Sequence, residues 1–181
     1  MIDSRHRHDP DRMSSNRGAS WSVNLDAWLP DRIDLPDMFV LVTRKLQQMY
    51  PITRGLLAVR ESGGTRFIAT ASFSPRRTRK NLSLRLPSAS SLFEKVAEGG
   101  VTYTESCREF FSGNPFERNL LLGGDTRSFV LQPLKHEGTV VGIIGYSSDE
   151  PTAFTLFEDG LLDRVAARFA ARITATIPTS A

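Results

Sequence analysis

Residues 126 to 147, TRSFVLQPLKHEGTVVGIIGYS, limit what the chain can become more than any other stretch. Two apolar extended runs flank a KHEG turn, and both runs are apolar on both faces. Phe129, Leu131 and Pro133 fall on one side of the first, Val130 and Leu134 on the other, and residues 140 to 146 repeat the pattern. Paired as a hairpin, they make central strands of a sheet that water cannot touch on either side. Such a sheet is a partition, with a core behind it and a second enclosed layer in front. The front layer is where a ligand is expected to sit.

A long helix follows. Thr155 and Glu158 form a T-x-x-E capping box. Leu161, Leu162, Val165, Ala166, Phe169, Ala170 and Ile173 make a broad apolar face, and Asp163, Arg164, Arg168 and Arg172 stay polar. Gly160 is read as lying inside this helix, at a cost of about 1 kcal/mol against Ala. A second amphipathic helix is predicted over 34 to 50, with Leu35, Met38, Phe39, Val42, Leu46 and Met49 at helical spacing. Asp34 is its N-cap, Pro36 sits in its first turn and Pro51 is its stop.

Between the helices the chain reads as strands and short pieces. Residues 55 to 60 and 66 to 73 pair across Ser62-Gly63-Gly64-Thr65, with Phe67, Ala69, Ala71 and Phe73 expected on one face. The loop SPRRTRK crowds Arg76, Arg77, Arg79 and Lys80 together. It is either a solvated tip or an anion clamp. Residues 82 to 86 suggest a short strand. Ser90 or Ser91 caps a helix ending at Gly99-Gly100, residues 101 to 104 are extended, and ESCREFFSGNPFERNLLLGG reads as loops and short helices.

Arg127-Ser128, Pro133-Leu134, Gly138, Gly142, Ser147, Pro151, Ala153-Phe154-Thr155 and Leu161-Leu162 fall in the order and spacing of the second half of a GAF domain, and the chain resembles that family from about residue 36 onward. The resemblance implies an α+β, GAF-like and PAS-related fold: a central antiparallel sheet with the terminal helices on one face and short helices and loops forming a lid on the other. It implies a sensory or regulatory module, a homodimer through the first and last helices, and a small-molecule ligand or a protein partner carrying the output. Phe73, Arg76, Cys107, Phe110, Phe116, Arg127 and Ser128 are the ligand-binding residues expected near the outer sheet face. The family also contains reductases of free methionine sulfoxide. These cycle several cysteines through a disulfide, whereas this chain has Cys107 alone. A bilin-type Cys-His pair is absent because Arg108 follows Cys107, and no cyclic-nucleotide signature is present.

Composition narrows the rest. A net charge of +3 from 23 basic and 20 acidic residues is too small a surplus to point to nucleic acid. One cysteine excludes an internal disulfide framework and suits a reducing cytoplasm, and no apolar run is long enough to cross a membrane. His6 and His8 lie in a polar leader with no third ligand nearby, and His136 lies in the KHEG turn. No metal, cofactor or catalytic residue is assigned. The expected organisation is a leader and docking arm over 1 to 33, a GAF-like domain over 34 to 175 and a short tail over 176 to 181. Trp21, Val23, Leu25, Trp28 and Leu29 form either an arm docked on the domain or a partner-binding segment.

Overall fold

The computed structural model describes residues 24–30, 32–106, 111–155 and 160–176. Helix α1 spans Leu35–Gln47, followed by strands β1 (Arg54–Arg60), β2 (Phe67–Phe73), β3 (Thr78–Arg79) and β4 (Leu84–Arg85). Helix α2 (Leu92–Gly99), β5 (Tyr103–Ser106) and α3 (Pro115–Leu121) lead to the long hairpin β6 (Ser128–His136) and β7 (Thr139–Ser148), and α4 (Leu161–Thr176) closes the described chain. The strands form one seven-stranded sheet in the order β3-β2-β1-β7-β6-β5, with β4 also on β2. Its pairings are all antiparallel.

The β6–β7 hairpin forms as its apolar pattern requires, with Ser128 opposite Ser148 and His136 opposite Thr139. Gly138, at φ +79, supplies the left-handed step of the turn. The sheet divides two cores. Behind it, Met38, Phe39, Val42 and Leu46 of α1 pack with Leu161, Val165, Phe169 and Ile173 of α4 against Leu57, Val130, Leu134, Ile144 and Tyr146. In front, Leu56, Ala58, Phe67, Phe93, Leu121, Phe129, Leu131 and Ile143 form the second core. Each of these large side chains contributes about 1.5–3 kcal/mol by leaving water. The docking arm joins the inner core: Leu25 is buried there, and Trp28, Leu29 and Ile33 pack against it. Trp21 and Val23 lie outside the described residues.

Two register shifts redirect side chains that simple alternation misplaces. Leu57 pairs with Ala71 but Ala58 pairs with Ala69, so Thr70 is extra and its hydroxyl donates to Leu57 O at 3.3 Å. This β-bulge leaves Phe67 and Ala69 in the outer core and swings Ala71 and Phe73 into the inner one. The expectation of one common face for the four is corrected accordingly. On β7, Leu134 pairs with Gly142 and Lys135 with Val140, which leaves Val141 as a second extra residue.

The helix ends differ in detail from the sequence reading. Asp34 holds the extended N-cap conformation of α1, yet its carboxylate makes no capping bond. Ser91, not Ser90, caps α2, and Gly100 ends it in the left-handed region. Described α4 begins only at Leu161, because Gly160 at φ +77 precedes it and is no helical residue. Thr155 sits in a 3-10 turn and its hydroxyl donates to Thr152 O, and Glu158, its expected capping partner, lies outside the described residues.

Two consequences can be measured. A Cβ on Gly142 would lie 2.8 Å from the Ala58 carbonyl oxygen, 3.0 Å from Leu134 and 3.2 Å from Ile173. The backbone neighbour cannot yield, so Gly142→Val should cost about 1–3 kcal/mol in urea unfolding. Tyr146 is fully buried and stacks on Phe39 at 6.2 Å, with its hydroxyl 3.3 Å from the Thr43 hydroxyl. Burial pushes its phenol well above the ordinary value, and the Thr43 contact opposes this only in part. An acid held neutral by folding contributes stability below its unfolded pKa and loses it as pH rises toward the folded one. Stability should therefore fall above about pH 10, and Tyr146→Phe should flatten that alkaline decline in denaturation curves.

Candidate functional site

The outer layer is held by one short sequence, Asn114-Pro115-Phe116-Glu117. Asn114 caps α3, its side-chain oxygen accepting from Phe116 N at 3.1 Å and Glu117 N at 2.9 Å, and Pro115 occupies the first turn where its missing N–H is harmless. Glu117 returns the bond by accepting from Asn114 N at 3.3 Å, completing a capping box. The same carboxylate also accepts from Leu92 N at 2.9 Å, from Phe93 N at 3.3 Å and from the Ser91 hydroxyl. Glu117 is fully buried, and its two oxygens close the N-terminus of α2 as well as that of α3. The Asn114 amide adds bonds to Pro87 O and Ala89 O. Four donors thus satisfy the two buried oxygens, two of them backbone N–H groups at the start of α2.

Around this knot the front of the sheet is filled by the chain's own side chains. Phe67 and Phe93 meet edge to face at 6.3 Å, and Phe129 contacts Tyr103 at 5.9 Å and Phe111 at 5.4 Å. Leu121 approaches so closely that a Cβ on Gly145 would meet it at 2.8 Å. At one margin the Tyr103 hydroxyl donates to Glu105 Oε2 at 2.6 Å and lies 3.2 Å from the Ser112 hydroxyl.

The expected ligand-binding residues do not form one described cluster. Phe116 packs on the outer core as anticipated, whereas Phe73 lies behind the sheet because of the bulge at Thr70. Arg76 is exposed in the tight turn from Ser74 to Arg77. Arg127 is exposed too, with its backbone N–H donating to Ser148 O. Ser128 is buried, and its hydroxyl donates to Glu150 O, tying the strand to the following loop. Cys107 and Phe110 lie outside the described residues. In the basic loop, Lys80 forms an ion pair with Asp37 of α1.

Three clefts among the described residues stand out, and none of these three is lined by the outer core. One of about 380 Å³ lies beside the end of β6, between Val101, Gln132, Lys135 and Ala166. One of about 470 Å³ runs between the docking arm and α4, along Leu29, Ile33, Arg168 and Ala171. The third, about 440 Å³, lies behind the sheet where the start of α1 and the end of α4 meet β1 and β2. Leu35, Pro36, Val59, Ile68 and Ile173 form its body, and Asp34, Arg60, Thr70 and Arg172 supply its polar groups. Of these three, the third is overwhelmingly apolar in its lining, as small-molecule sites mostly are. Sequence reasoning missed it because its lining comes from four elements far apart in the chain.

The sequence matches no family model and no curated protein. Solved structures match over most of the chain. The GAF domain of a two-component sensor histidine kinase from Bacillus halodurans is 15% identical, aligns over 80% of this chain and 96% of its own, and gives a TM-score of 0.60. The GAF domain of a phosphoenolpyruvate-protein phosphotransferase from Coxiella burnetii is 17% identical over 80% and 85%, at 0.62. The chain has a GAF-like fold. A type II free methionine-R-sulfoxide reductase from Thermoplasma acidophilum shares it at 16% identity, over 80% and 98%, with a TM-score of 0.58. The same fold thus occurs within a sensor histidine kinase, a phosphotransferase and a reductase, and by itself names no function.

Glu117 is where the GAF-like outer layer is most exposed to a single change. Glu117→Ala leaves buried N–H groups at two helix starts without acceptors and should lower stability by about 3 kcal/mol or more in chemical denaturation. Glu117→Gln keeps the shape but turns one acceptor into a donor facing donors, and should fall between alanine and wild type.

Proposed function

We propose that this chain is a non-enzymatic, GAF-like regulatory module of cytoplasmic signalling that receives a small molecule and passes the result on through its terminal helices. The observation that carries this reading is the apolar cleft of about 440 Å³ bounded by α1, α4, β1 and β2. Its occupant would touch both terminal helices and the sheet at once, so its affinity would depend on how the helices sit. A site that spans two elements in this way biases their arrangement by its own binding free energy. From there the signal leaves through a second copy or another protein docked on α1 and α4. Arg44 of α1, Gln48 and Met49 just after its end, and Ala167, Ala171 and Ala175 of α4 are exposed to solvent and offer surface for such contact.

The non-enzymatic part rests on how the polar groups are used. Glu117, the buried carboxylate, is saturated by helix N–H and hydroxyl donors and has no capacity left to take a proton from a substrate. His136 is half-exposed at the β6–β7 turn, beside Glu137 at 4.0 Å. No described helix is long and apolar enough to cross a membrane.

The test is a thermal-shift screen of the full chain against metabolites and nucleotides. A ligand present at about a hundred times its Kd adds about 2.7 kcal/mol, a rise of about 5–10 °C for a chain of this size. Ile68→Trp, which fills the cleft, should abolish the rise. A rise that survives Ile68→Trp would move the receptor site elsewhere. Thiol-dependent turnover of free methionine sulfoxide by the wild type that disappears in Cys107→Ser would make the chain a reductase instead.

A further inference from the structure

The third cleft offers a ligand carbon surface and little else, and we infer that its ligand is an uncharged, almost wholly hydrocarbon molecule. This rests on the receptor reading of the same cleft. Leu35, Pro36, Val59, Ile68 and Ile173 form the walls, and of these only Ile173 is buried. The other four leave apolar surface in water that an occupant would cover. An apolar cavity of about 150 Å³ holds one benzene ring, so about 440 Å³ leaves room for about two such rings or a chain of about eight carbons.

The polar residues that border the cleft are committed elsewhere. Arg60 pairs with Phe67 and shares its front face of the sheet, where Nε donates to Gly64 O at 3.1 Å and Nη1 to Val140 O at 3.3 Å. The Thr70 hydroxyl donates to Leu57 O at 3.3 Å, within the sheet. Arg172 donates from Nη2 to Ile33 O, and Asp34, exposed to water, carries the opposite charge, so the pair adds no net charge to the lining. An ionic head set among these walls would give up its water without a buried partner in return, whereas an uncharged body gains with each apolar atom it covers. A second copy of the chain is a poorer occupant. Asp34, Arg172 and the Lys80–Asp37 ion pair stand around the start of α1, whereas the centre of a protein interface is depleted of charge.

The experiment is calorimetric titration of the full chain with octanol, octanoate and octylammonium, three ligands of one body and three heads, and with hexanol as a shorter body. Octanol should bind at least about tenfold tighter than either ion, and each CH₂ added between hexanol and octanol should tighten binding about three- to fourfold. Ile68→Trp should remove octanol binding. Leu35→Trp, which narrows the cleft from the helix side, should weaken it and covers the case in which Ile68→Trp fails to fold. Octanoate or octylammonium binding as tightly as octanol overturns the uncharged ligand and leaves the cleft as a receptor site. No binding of any of the four by protein with a normal unfolding transition overturns the receptor reading of this cleft too. Dimers in sedimentation that Ile68→Trp breaks, without octanol binding, would give the cleft to a second copy instead.

Discussion

A strand that is apolar on both faces forces the rest of its chain to supply two layers. In β6 and β7 this holds for nearly every residue, since Phe129, Leu131 and Ile143 face forward and Val130, Leu134, Ile144 and Tyr146 face back, all of them buried. The rear demand is met by two long helices whose apolar faces are wide enough to share one core. The front demand is harder. Only two short helices and loops are available there, and α2 and α3 have eight and seven residues. Helices so short are marginal alone, because nucleation costs more than a turn or two of bonds returns. They persist through what their ends and inner faces are tied to.

Glu117 provides that tie. A carboxylate shared between two helix starts makes α2 and α3 mutually dependent: displacing either strips acceptors from the other. The energetic logic is that of any buried charge, weak evidence of net stability against an apolar replacement but costly to disrupt once built. Around it, Phe93 from α2, Leu121 from α3 and Phe129 from β6 fill the space that would otherwise be a chamber. Among the described residues the GAF-like front layer is an additional core, and the apolar cleft of about 440 Å³ lies on the other side of the sheet.

The parts of this structure visible in the sequence are those governed by a period. The hairpin, α1 and α4 follow from apolar spacing over ten or more residues, and the docking of both terminal helices on one face follows from the resemblance that the same spacing carries. Ser91 and Gly100 were legible as helix ends from residue type. Features decided by one extra residue were not. Strict alternation puts Phe73 with Phe67, and nothing local in FIATASF announces that Thr70 is unpaired. The Asn114 box was in plain view as N-P-x-E, but recognising it would still not have shown that Glu117 also serves Ser91, Leu92 and Phe93, some 25 positions upstream. Gly160 was misread for a related reason: a glycine within a helical period and one just before it look alike until φ is known.

The strand that carries the bulge also lines the rear cleft. With the extra residue, Ile68, Thr70, Ala71 and Phe73 all belong to the inner face of β2, so that two chain neighbours, Thr70 and Ala71, face the same way. Ala71 and Phe73 are covered by the inner core, whereas Ile68 and Thr70 lie toward the other end of the strand, beside the first turn of α1 and the last turn of α4. Helix ends cover a sheet poorly, because their side chains lean toward the N-terminus and their last backbone groups need polar partners. Apolar sheet surface meeting two helix ends is thus left incompletely filled, and Arg172 beside it is fixed by the Ile33 carbonyl. A cavity whose walls and charges come from so many parts of the chain senses their relative placement. The proposed input site rests on that dependence.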